Sequence, residues 1–218
     1  MKFVVTAGPT REPFDPVRFL SNRSSGKMGY ALAEAALQAG HEVTLISGPV
    51  QIPAPKGAQF VAITTSEELY GATRRAVENC DVLVMCAAVA DYKPTRVAGT
   101  KPKKKAGTFS LKLTPTRDIL ATLASGAHDY FVVGFAAETN DVEANARHKL
   151  CSKNCDIMVA NDVSRNDRGM ESDRNEVTIF FREGGSKTIA VAPKKIIARK
   201  LLKIILSARE NSLTKKTC

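Results

Sequence analysis

Long apolar runs and secretion signals are absent from this chain of 218 residues. Its most apolar stretches fall short of the roughly 18 residues that a membrane-spanning helix needs. The N-terminus also lacks the charged, apolar and cleavage regions of a signal peptide. These absences predict a cytoplasmic protein that works without a membrane.

The cysteines do not form a disulfide framework, because they number 5 and lack a paired spacing. Reduced thiols are therefore expected. Neither these cysteines nor the 3 histidines show the spacing of zinc ligands, so the sequence assigns no metal ligand. The cysteines are Cys80, Cys86, Cys151, Cys155 and Cys218.

The common glycine motifs of nucleotide-binding proteins are incomplete. A P-loop would have glycine at position 21 and serine or threonine at position 28, where this chain has Ser21 and Met28. Of the three glycines in a dinucleotide-binding turn, only Gly26 and Gly29 are present. No acidic ribose ligand follows the second predicted strand at residues 46–48. An NAD(P)-dependent Rossmann-type reductase is thus a disfavoured alternative.

Positive charge is abundant, with a formal net charge of +10. This excess favours acidic partners such as nucleotides, phosphorylated metabolites or nucleic acid. A nucleic-acid-binding module is a second disfavoured alternative, because aromatic residues are not interleaved with the basic clusters and no known binding motif occurs. The most informative basic cluster is residues 101–105, between Gly99 and Gly107.

Apolar strand patterns alternate with helical patterns along the chain, which predicts a doubly wound, mostly parallel, Rossmann-like α/β sheet. An antiparallel hairpin at residues 176–191 follows this alternation and is the region where we look for self-association. We expect one domain over residues 1–218, with a flexible tail from about residue 210. The predicted strands are 2–7, 42–46, 60–63, 81–89, 130–136 and 156–160, and the predicted helices are 27–39, 65–79, 117–124, 142–153 and 194–208.

A long polar segment separates the first strand from the first helix. Its three prolines predict a loop over residues 8–26 that is too broken for regular structure. Ser24, Ser25 and Gly26 precede the helix, where unpaired backbone N–H groups and the helix dipole favour an anion. The alternative is that Ser24 or Ser25 only caps the helix and that the glycines allow close helix–sheet packing. Local chemistry leaves both interpretations open.

A set of motifs in a fixed order covers the chain from about residue 3 to residue 205. Together they resemble phosphopantothenoylcysteine synthetase, also called phosphopantothenate–cysteine ligase. The motifs lie at residues 6–13, 15–18, 21–29, 87–92, 101–104, 133–139 and 160–163.

The resemblance implies a ligase of coenzyme A biosynthesis. A nucleoside triphosphate, CTP in preference to ATP, would activate the carboxylate of 4′-phosphopantothenate with Mg²⁺ present. The amine of L-cysteine would then attack the acyl-nucleotide, giving 4′-phosphopantothenoylcysteine, pyrophosphate and a nucleoside monophosphate. The resemblance also implies a homodimer, and the chain is interpreted as a free-standing synthetase that works beside a separate phosphopantothenoylcysteine decarboxylase.

The same resemblance implies roles for individual residues. Lys101 would stabilise the transition state from a mobile flap, while Asn22 and Arg18 would hold the substrate or the acyl-nucleotide. Asn22 and Arg18 also have structural interpretations, Asn22 as a turn residue and Arg18 as a member of a surface ion pair. The implied substrate-binding residues are Ser24, Ser25, Gly26, Ala87 and Ala88, and the implied nucleotide-binding residues are Asp91, Lys101, Arg117, Asp118, Ile119, Leu120, Phe135, Lys149 and Lys153.

Overall fold

The computed structural model of the chain describes residues 1–104, 106–126, 128–164 and 171–216. The strands are β1 (Lys2–Ala7), β2 (Arg11–Pro13), β3 (Phe19–Ser21), β4 (Glu42–Ser47), β5 (Gln59–Ala62), β6 (Val82–Met85), β7 (Tyr92–Pro94), β8 (Leu113–Pro115), β9 (Phe131–Glu138), β10 (Ile157–Asp162), β11 (Arg174–Phe181) and β12 (Ser186–Pro193). The helices are α1 (Lys27–Gln38), α2 (Ser66–Ala76), α3 (Ile119–Ala124), α4 (Val142–Ser152) and α5 (Lys194–Lys216), and a short 3-10 helix (Val77–Asn79) follows α2.

One sheet organises the described part of the chain, with its strands in the order β12-β11-β10-β9-β6-β1-β4-β5. The strands from β10 to β5 run parallel to one another. Strand β11 is antiparallel to β10, and β12 is antiparallel to β11. The predicted doubly wound sheet with an added antiparallel hairpin is therefore confirmed.

Helices cover both faces of this sheet. Because successive side chains of a strand point to opposite faces, neighbouring residues of β1 enter different hydrophobic clusters. Val5 belongs to the cluster that includes residues of α1 and α5. Val4 belongs to the cluster that includes Leu69 of α2, Ile119 of α3 and Leu150 of α4. Burial on both faces explains why the parallel strands have nearly continuous apolar sequences.

The direction of the crossovers reverses at β1. The chain leaves β1 through α1 toward β4, and it returns through α2 to β6 on the other side of β1. Since α1 and α2 pack on opposite faces, the loops that follow β1 and β6 diverge. This reversal leaves a crevice at the carboxyl ends of the two strands, which is the usual ligand position in such sheets.

The polar segment after β1 contains a small hairpin, so the prediction that residues 8–26 lack regular structure is wrong. Strands β2 and β3 pair antiparallel. The carboxylate of Asp15 accepts hydrogen bonds from two backbone N–H groups of the turn, at 2.8 and 2.7 Å. The buried carboxylate of Glu12 accepts another from the N–H group of Ser66, at 2.8 Å. These side-chain bonds hold a segment whose prolines cannot donate backbone hydrogen bonds.

A second small sheet, β7 paired with β8, was not among the predicted elements. Each strand has only 3 residues, too few for a periodic pattern. Residues 101–104 lie on the connection between these strands, while Lys105 lies outside the described residues. The base of the predicted flap is thus held by a pair of strands.

Most helix boundaries agree with the sequence predictions. A capping box begins α2, because the side chain of Thr65 accepts from the N–H group of Glu68 and the side chain of Glu68 accepts from the N–H group of Thr65. Helix α3 begins after Asp118, so Arg117 precedes it. Helix α5 continues to Lys216, beyond the predicted end near residue 208, and flexibility of the tail stays a prediction.

Two predictions from composition can be compared with the described residues. No helix in the described ranges is both long and apolar enough to cross a membrane. The thiols of Cys80, Cys86, Cys151 and Cys155 are free, as expected for reduced cysteines. Cys218 lies outside the described residues.

Candidate active site

The crevice between the loops after β1 and β6 opens into a cleft of about 480 Å³. Its walls are the start of α1, residues 85–89 and residues 116–120, with further side chains from the far end of β9 and from α4. The cleft therefore lies where the predicted fold places a ligand. Many of its side chains are polar or positively charged, which suits an anionic ligand.

Asn22 connects two walls of the cleft. Its Nδ2 donates to the carbonyl oxygen of Val89 at 2.9 Å and to that of Ala88 at 3.2 Å. The donor comes from the segment before α1, and both acceptors come from the segment after β6. The amide thus fixes the width of the crevice without adding net charge.

The segment after β6 forms a wall of the cleft. Its sequence predicts a strand as far as residue 89, but the strand ends at residue 85. The hydroxyl oxygen of Thr6 accepts from the N–H groups of Cys86 and Ala87, each at 3.1 Å. The hydroxyl oxygen of Thr10 accepts from the N–H group of Ala90 at 3.0 Å. Ala88 still pairs with Pro9 in a single parallel bridge, in which the N–H group of Ala88 donates to the carbonyl oxygen of Gly8 at 2.9 Å. The segment therefore leaves the sheet after β6 and lines the cleft, held by threonine hydroxyls and by this one bridge.

The first turn of α1 points into the cleft through Gly26, its N-cap residue. Gly26 has a positive φ of 74°, and no side chain of the described residues caps this helix. The hydroxyl of Ser24 instead accepts from the N–H group of Gly26, at 3.3 Å. The first N–H groups of an α-helix have no partners within the helix. The N-cap residue of α1 is thus Gly26, and neither Ser24 nor Ser25 occupies that position.

The other part of that alternative, that the glycines allow close packing of the helix on the sheet, is supported at Gly29. A Cβ atom added there would lie 2.6 Å from the Cβ of Ala7 in β1. Glycine is consequently required for the close contact between α1 and the sheet. This contact brings the start of the helix to the mouth of the crevice.

The two lysines predicted to bind a triphosphate both line the cleft. The Nζ atom of Lys149 lies 2.6 Å from a carboxylate oxygen of Glu138, and that of Lys153 lies 3.3 Å from Asp118. Asp118 also caps α3 by accepting from the N–H group of Ala121 at 3.0 Å. An arriving anion would therefore compete with carboxylates that are already in place.

The segment before α3 adds a cation to the cleft, and the first residues of α3 add an apolar surface. The guanidinium carbon of Arg117 lies 4.3 Å from the ring centroid of Tyr70, and its Nη2 lies 3.7 Å from Glu67. Ile119 and Leu120 line the cleft together with the half-buried ring of Phe135. A nucleotide needs both kinds of surface, the cation for its phosphates and the apolar wall for its base.

Lys194, the first residue of α5, also lines the cleft although its side chain is buried. Burial and the neighbouring positive charge of Lys27 lower the pKa of Lys194 to about 8, while Cys86 and Asp173 act in the opposite direction. Burial raises the pKa of the Cys86 thiol to about 12. The floor of the cleft thus combines a protonated thiol with a lysine that ionises less readily than usual.

Arg18 lies outside the cleft of its own chain, on the turn between β2 and β3. Its Nε and Nη2 atoms lie 2.7 and 2.6 Å from a carboxylate oxygen of Asp15. Burial opposes ionisation of Asp15, but hydrogen bonds from the Arg18 side chain and from the turn N–H groups lower the pKa of the carboxyl. Within one chain, Arg18 therefore forms the ion pair that its structural interpretation predicts, with Asp15 as the partner.

Lys101 does not line the cleft either, and it is exposed on the connection between β7 and β8. Its expected role requires this connection to approach the cleft during the reaction. That role stays a prediction.

The family of the chain is shown by comparison with known proteins. Residues 1–208 match the family described as the DNA/pantothenate metabolism flavoprotein C-terminal domain, or DFP. The chain belongs to the DFP family. This membership confirms the resemblance drawn from the ordered motifs.

Relatives of this DFP chain carry names from coenzyme A biosynthesis. The coenzyme A biosynthesis bifunctional protein CoaBC of Bacillus subtilis is 46% identical over 203 residues, which are 93% of this chain and 50% of that protein. The chain thus spans about half the length of the curated relatives it matches. The crystal structure of the C-terminal domain of a CoaBC protein has a TM-score of 0.82, 38% identity and 96% coverage of both chains.

A more distant solved structure shares the fold. A variant of Cab2 in complex with phosphopantothenate-cysteine has a TM-score of 0.80 at 15% identity, and the match covers 100% of this chain and 89% of that one. At this identity the comparison supports the fold alone.

The structure brings together most of the residues predicted for the DFP site. The exceptions are Arg18, Lys101 and Ser25, which do not line the cleft. The predicted residues that do line it are Asn22, Ser24, Gly26, Ala87, Ala88, Asp91, Arg117, Asp118, Ile119, Leu120, Phe135, Lys149 and Lys153.

Several residues of the cleft were not predicted as site residues. Lys27 and Asn161 lie inside motifs that carried the resemblance, so those motifs could have identified them. Asn175 and Lys194 lie in the hairpin and at the start of α5, and only the folded sheet brings them to the cleft. Their local sequence gives no sign of this position.

Proposed function

We propose that this chain is a phosphopantothenate–cysteine ligase that uses CTP in preference to ATP. The observation that carries the proposal is the cleft itself, which joins the Asn22 segment, the wall after β6 and the Lys149–Lys153 side of α4. The names of the CoaBC relatives place those proteins in coenzyme A biosynthesis, to which this reaction would belong. The Cab2 variant of the same fold is described in complex with phosphopantothenate-cysteine, the compound that the reaction would make.

The first step of the proposed reaction joins two anions. The carboxylate of 4′-phosphopantothenate attacks the α-phosphate of CTP, forming a carboxylate–phosphate bond and releasing pyrophosphate. Catalysis must overcome charge repulsion, so it should depend mainly on positioning and on positive charge. Arg117, Lys149 and Lys153 supply cations along one side of the cleft.

The second step forms the amide. The amine of cysteine attacks the activated carbonyl, CMP leaves, and the amine loses a proton. The acyl-nucleotide must survive until cysteine arrives, which requires a site that holds it and limits water. We place the phosphopantothenoyl group along residues 21–29 and the wall of Ala87 and Ala88, and the nucleotide against Asp91, residues 117–120 and Phe135.

Mg²⁺ fits this site as an ion bound with the triphosphate. Among the described residues there is no group of three histidine, cysteine or carboxylate side chains that could hold a metal ion by itself. Mg²⁺ commonly keeps several waters and binds through substrate phosphates, so such a group is not required. The ion would neutralise phosphate charge, while the chain's own residues position the reactants.

We also propose a homodimer, formed through the two small sheets rather than through the hairpin at residues 176–191. Large apolar side chains are exposed on and beside the small sheets, including Val17 at 60%, Phe19 at 44% and Tyr92 at 54%. Within its described residues, the hairpin has no comparably exposed large apolar side chain. We therefore take this exposed apolar surface as the proposed dimer interface.

The dimer proposal gives Arg18 a role that its own chain does not offer. Arg18 lies on the same turn as the exposed Val17 and outside its own cleft. We place its guanidinium at the cleft of the partner subunit, where arginine can bind a carboxylate or phosphate through two hydrogen bonds.

Pyrophosphate release tests the proposed function. The purified chain is mixed with 4′-phosphopantothenate, cysteine and Mg²⁺, with CTP or with ATP. We expect release that requires 4′-phosphopantothenate and is faster with CTP. No release with either nucleotide would contradict the ligase, whereas faster release with ATP would overturn only the nucleotide preference.

A further inference from the structure

The buried ammonium group of Lys194 is a feature of the cleft that the proposed reaction leaves without a role. The residue is only 5% exposed, yet it faces the cleft that contains Asn22 and Phe135. Its backbone N–H group donates to the carbonyl oxygen of Asp173 at 2.9 Å, which fixes the start of α5 beside this floor. A lysine is rarely buried so completely without a structural or functional reason.

Three elements bring other titratable groups close to this ammonium group: Lys27 begins α1, Cys86 follows β6, and Asp173 precedes β11. Lys27 is held by Asp173, whose carboxylate oxygen lies 2.5 Å from Nζ of Lys27. Burial and the charge of Lys27 outweigh the opposing influence of Cys86 and Asp173, so the pKa of Lys194 is lowered to about 8. The floor of the cleft therefore disfavours the positive charge of Lys194.

The start of α1 supplies further positive potential at the same floor. Gly26 is its N-cap, no side chain of the described residues caps the helix, and its dipole is positive at this end. An anion bound there would meet backbone N–H groups, Lys27 and Lys194 together.

We infer that Lys194 donates a hydrogen bond to a phosphate oxyanion bound between the start of α1 and the wall at Cys86. The inference rests on the proposed function, because that reaction supplies two phosphorylated ligands. Their shared chemistry is a phosphate group, carried either by the nucleoside triphosphate or by 4′-phosphopantothenate. Helix α5 thereby contributes a ligand-binding residue to the cleft.

The proposed contact should change proton binding by the protein as well as ligand affinity. A nearby anion favours the charged form of a lysine, so binding should raise the pKa of Lys194. At about pH 8 roughly half of Lys194 is neutral in the free protein, given its pKa of about 8. Binding should therefore take up as much as about half a proton.

Calorimetric titration of the full chain tests this contact. The probes are CTP with Mg²⁺, 4′-phosphopantothenate and inorganic pyrophosphate, each at about pH 8 in two buffers of different ionisation enthalpy. Wild-type protein should take up protons on binding. Lys194→Gln should bind one or both phosphorylated ligands about tenfold to a hundredfold more weakly and should lose the proton uptake.

The matched control is Lys195→Gln, at the next position of α5. The side chain of Lys195 is 70% exposed and pairs with Glu34 at 3.2 Å. This variant should bind and take up protons like the wild type. If Lys194→Gln does not fold, as judged by thermal unfolding, Lys194→Met replaces it as an uncharged variant with a similar stem.

The ligand whose affinity falls identifies the source of the phosphate. The inference would be overturned if the Lys194 variant kept both its affinity and its proton uptake. It would also be overturned if the wild-type protein bound the probes without proton uptake, or if it bound none of them. Failure of the proposed function is distinguishable, because it shows as absent pyrophosphate release in protein that still binds phosphorylated ligands with proton uptake.

Discussion

At the scale of single residues, the amide of Asn22 links the two walls of the cleft by donating to the carbonyl oxygens of Ala88 and Val89. A carboxylate at this position would place negative charge beside two acceptors and beside an anionic substrate. An amide can therefore position an anionic substrate at this site, whereas a carboxylate of the same shape would repel it.

Asn22→Asp should keep the fold and lose most turnover. We expect a fall of about a hundredfold or more in kcat, comparable to the loss of a transition-state hydrogen-bond donor. Pyrophosphate release measures the rate, and thermal unfolding checks the fold. Asn79→Asp, outside the cleft, is the control, and near-normal activity of Asn22→Asp would return Asn22 to the role of a turn residue.

Lys101 is the residue whose role depends on movement. It is exposed on the connection between β7 and β8, so the proposed role requires that connection to close over the nucleotide. Lys101→Gln should reduce acyl-nucleotide formation by about a hundredfold or more, while CTP affinity changes much less.

Single-turnover formation of the acyl-nucleotide, measured without cysteine, separates these two effects. Lys104→Gln on the same connection serves as the control and should behave like the wild type. An unchanged rate in Lys101→Gln would remove this residue from the mechanism.

The limits of sequence prediction are clearest for two lysines of the cleft. Lys149 could be placed because the family resemblance assigns it to the nucleotide and because it lies in a predicted helix that follows a predicted strand. Lys194 could not, because it begins a basic terminal helix whose pattern is typical of a solvated surface. Its burial depends on the hairpin β11–β12 returning the chain to α1, which is a long-range consequence of the whole sheet.

At the scale of secondary structure elements, the contact between α1 and β1 sets the position of the helix start. Gly29 permits this contact, because a Cβ atom would lie 2.6 Å from the Cβ of Ala7. Two packed backbone elements surround the position, so neither can move aside easily.

Gly29→Ala should destabilise the protein by about 1–3 kcal/mol, the usual cost of forcing a methyl group into a packed core. Urea unfolding measures the change in the free energy of unfolding. The control is Gly71→Ala in α2, where the added Cβ would lie 3.6 Å from Nη1 of Arg75. Gly71→Ala should be neutral or stabilising by up to about 1 kcal/mol, and equal effects at the two glycines would contradict this explanation.

The elements that sequence patterns predicted are those with a buried face. Alternating apolar strands and helices gave the large sheet with small errors at the ends. The small sheets were missed because their strands are short and are held by distant partners. For example, the N–H group of Arg11 donates to the carbonyl oxygen of Thr64 at 2.7 Å.

At the scale of the whole molecule, the small sheets expose apolar surface and carry Arg18 away from its own cleft. The proposed dimer should have twice the monomer mass of 23.5 kDa, measurable by sedimentation. In such a dimer, the cleft of one subunit would receive Arg18 from its partner.

Mixing two inactive variants tests this arrangement. Arg18→Ala and Asn22→Asp should each have little activity alone. After subunit exchange, mixed dimers would contain one cleft with both wild-type residues, so about a quarter of the clefts should become active. No recovery despite exchange would place Arg18 and Asn22 in the same chain's site, or remove Arg18 from the site altogether.

We propose above that this DFP chain makes an amide between 4′-phosphopantothenate and cysteine. Mass spectrometry of the reaction with CTP and Mg²⁺ detects that amide and the nucleotide products. We predict 4′-phosphopantothenoylcysteine and CMP when cysteine is present, and the acyl-cytidylate when cysteine is omitted. Absence of the amide with both CTP and ATP, in folded protein that binds its ligands, would contradict the account.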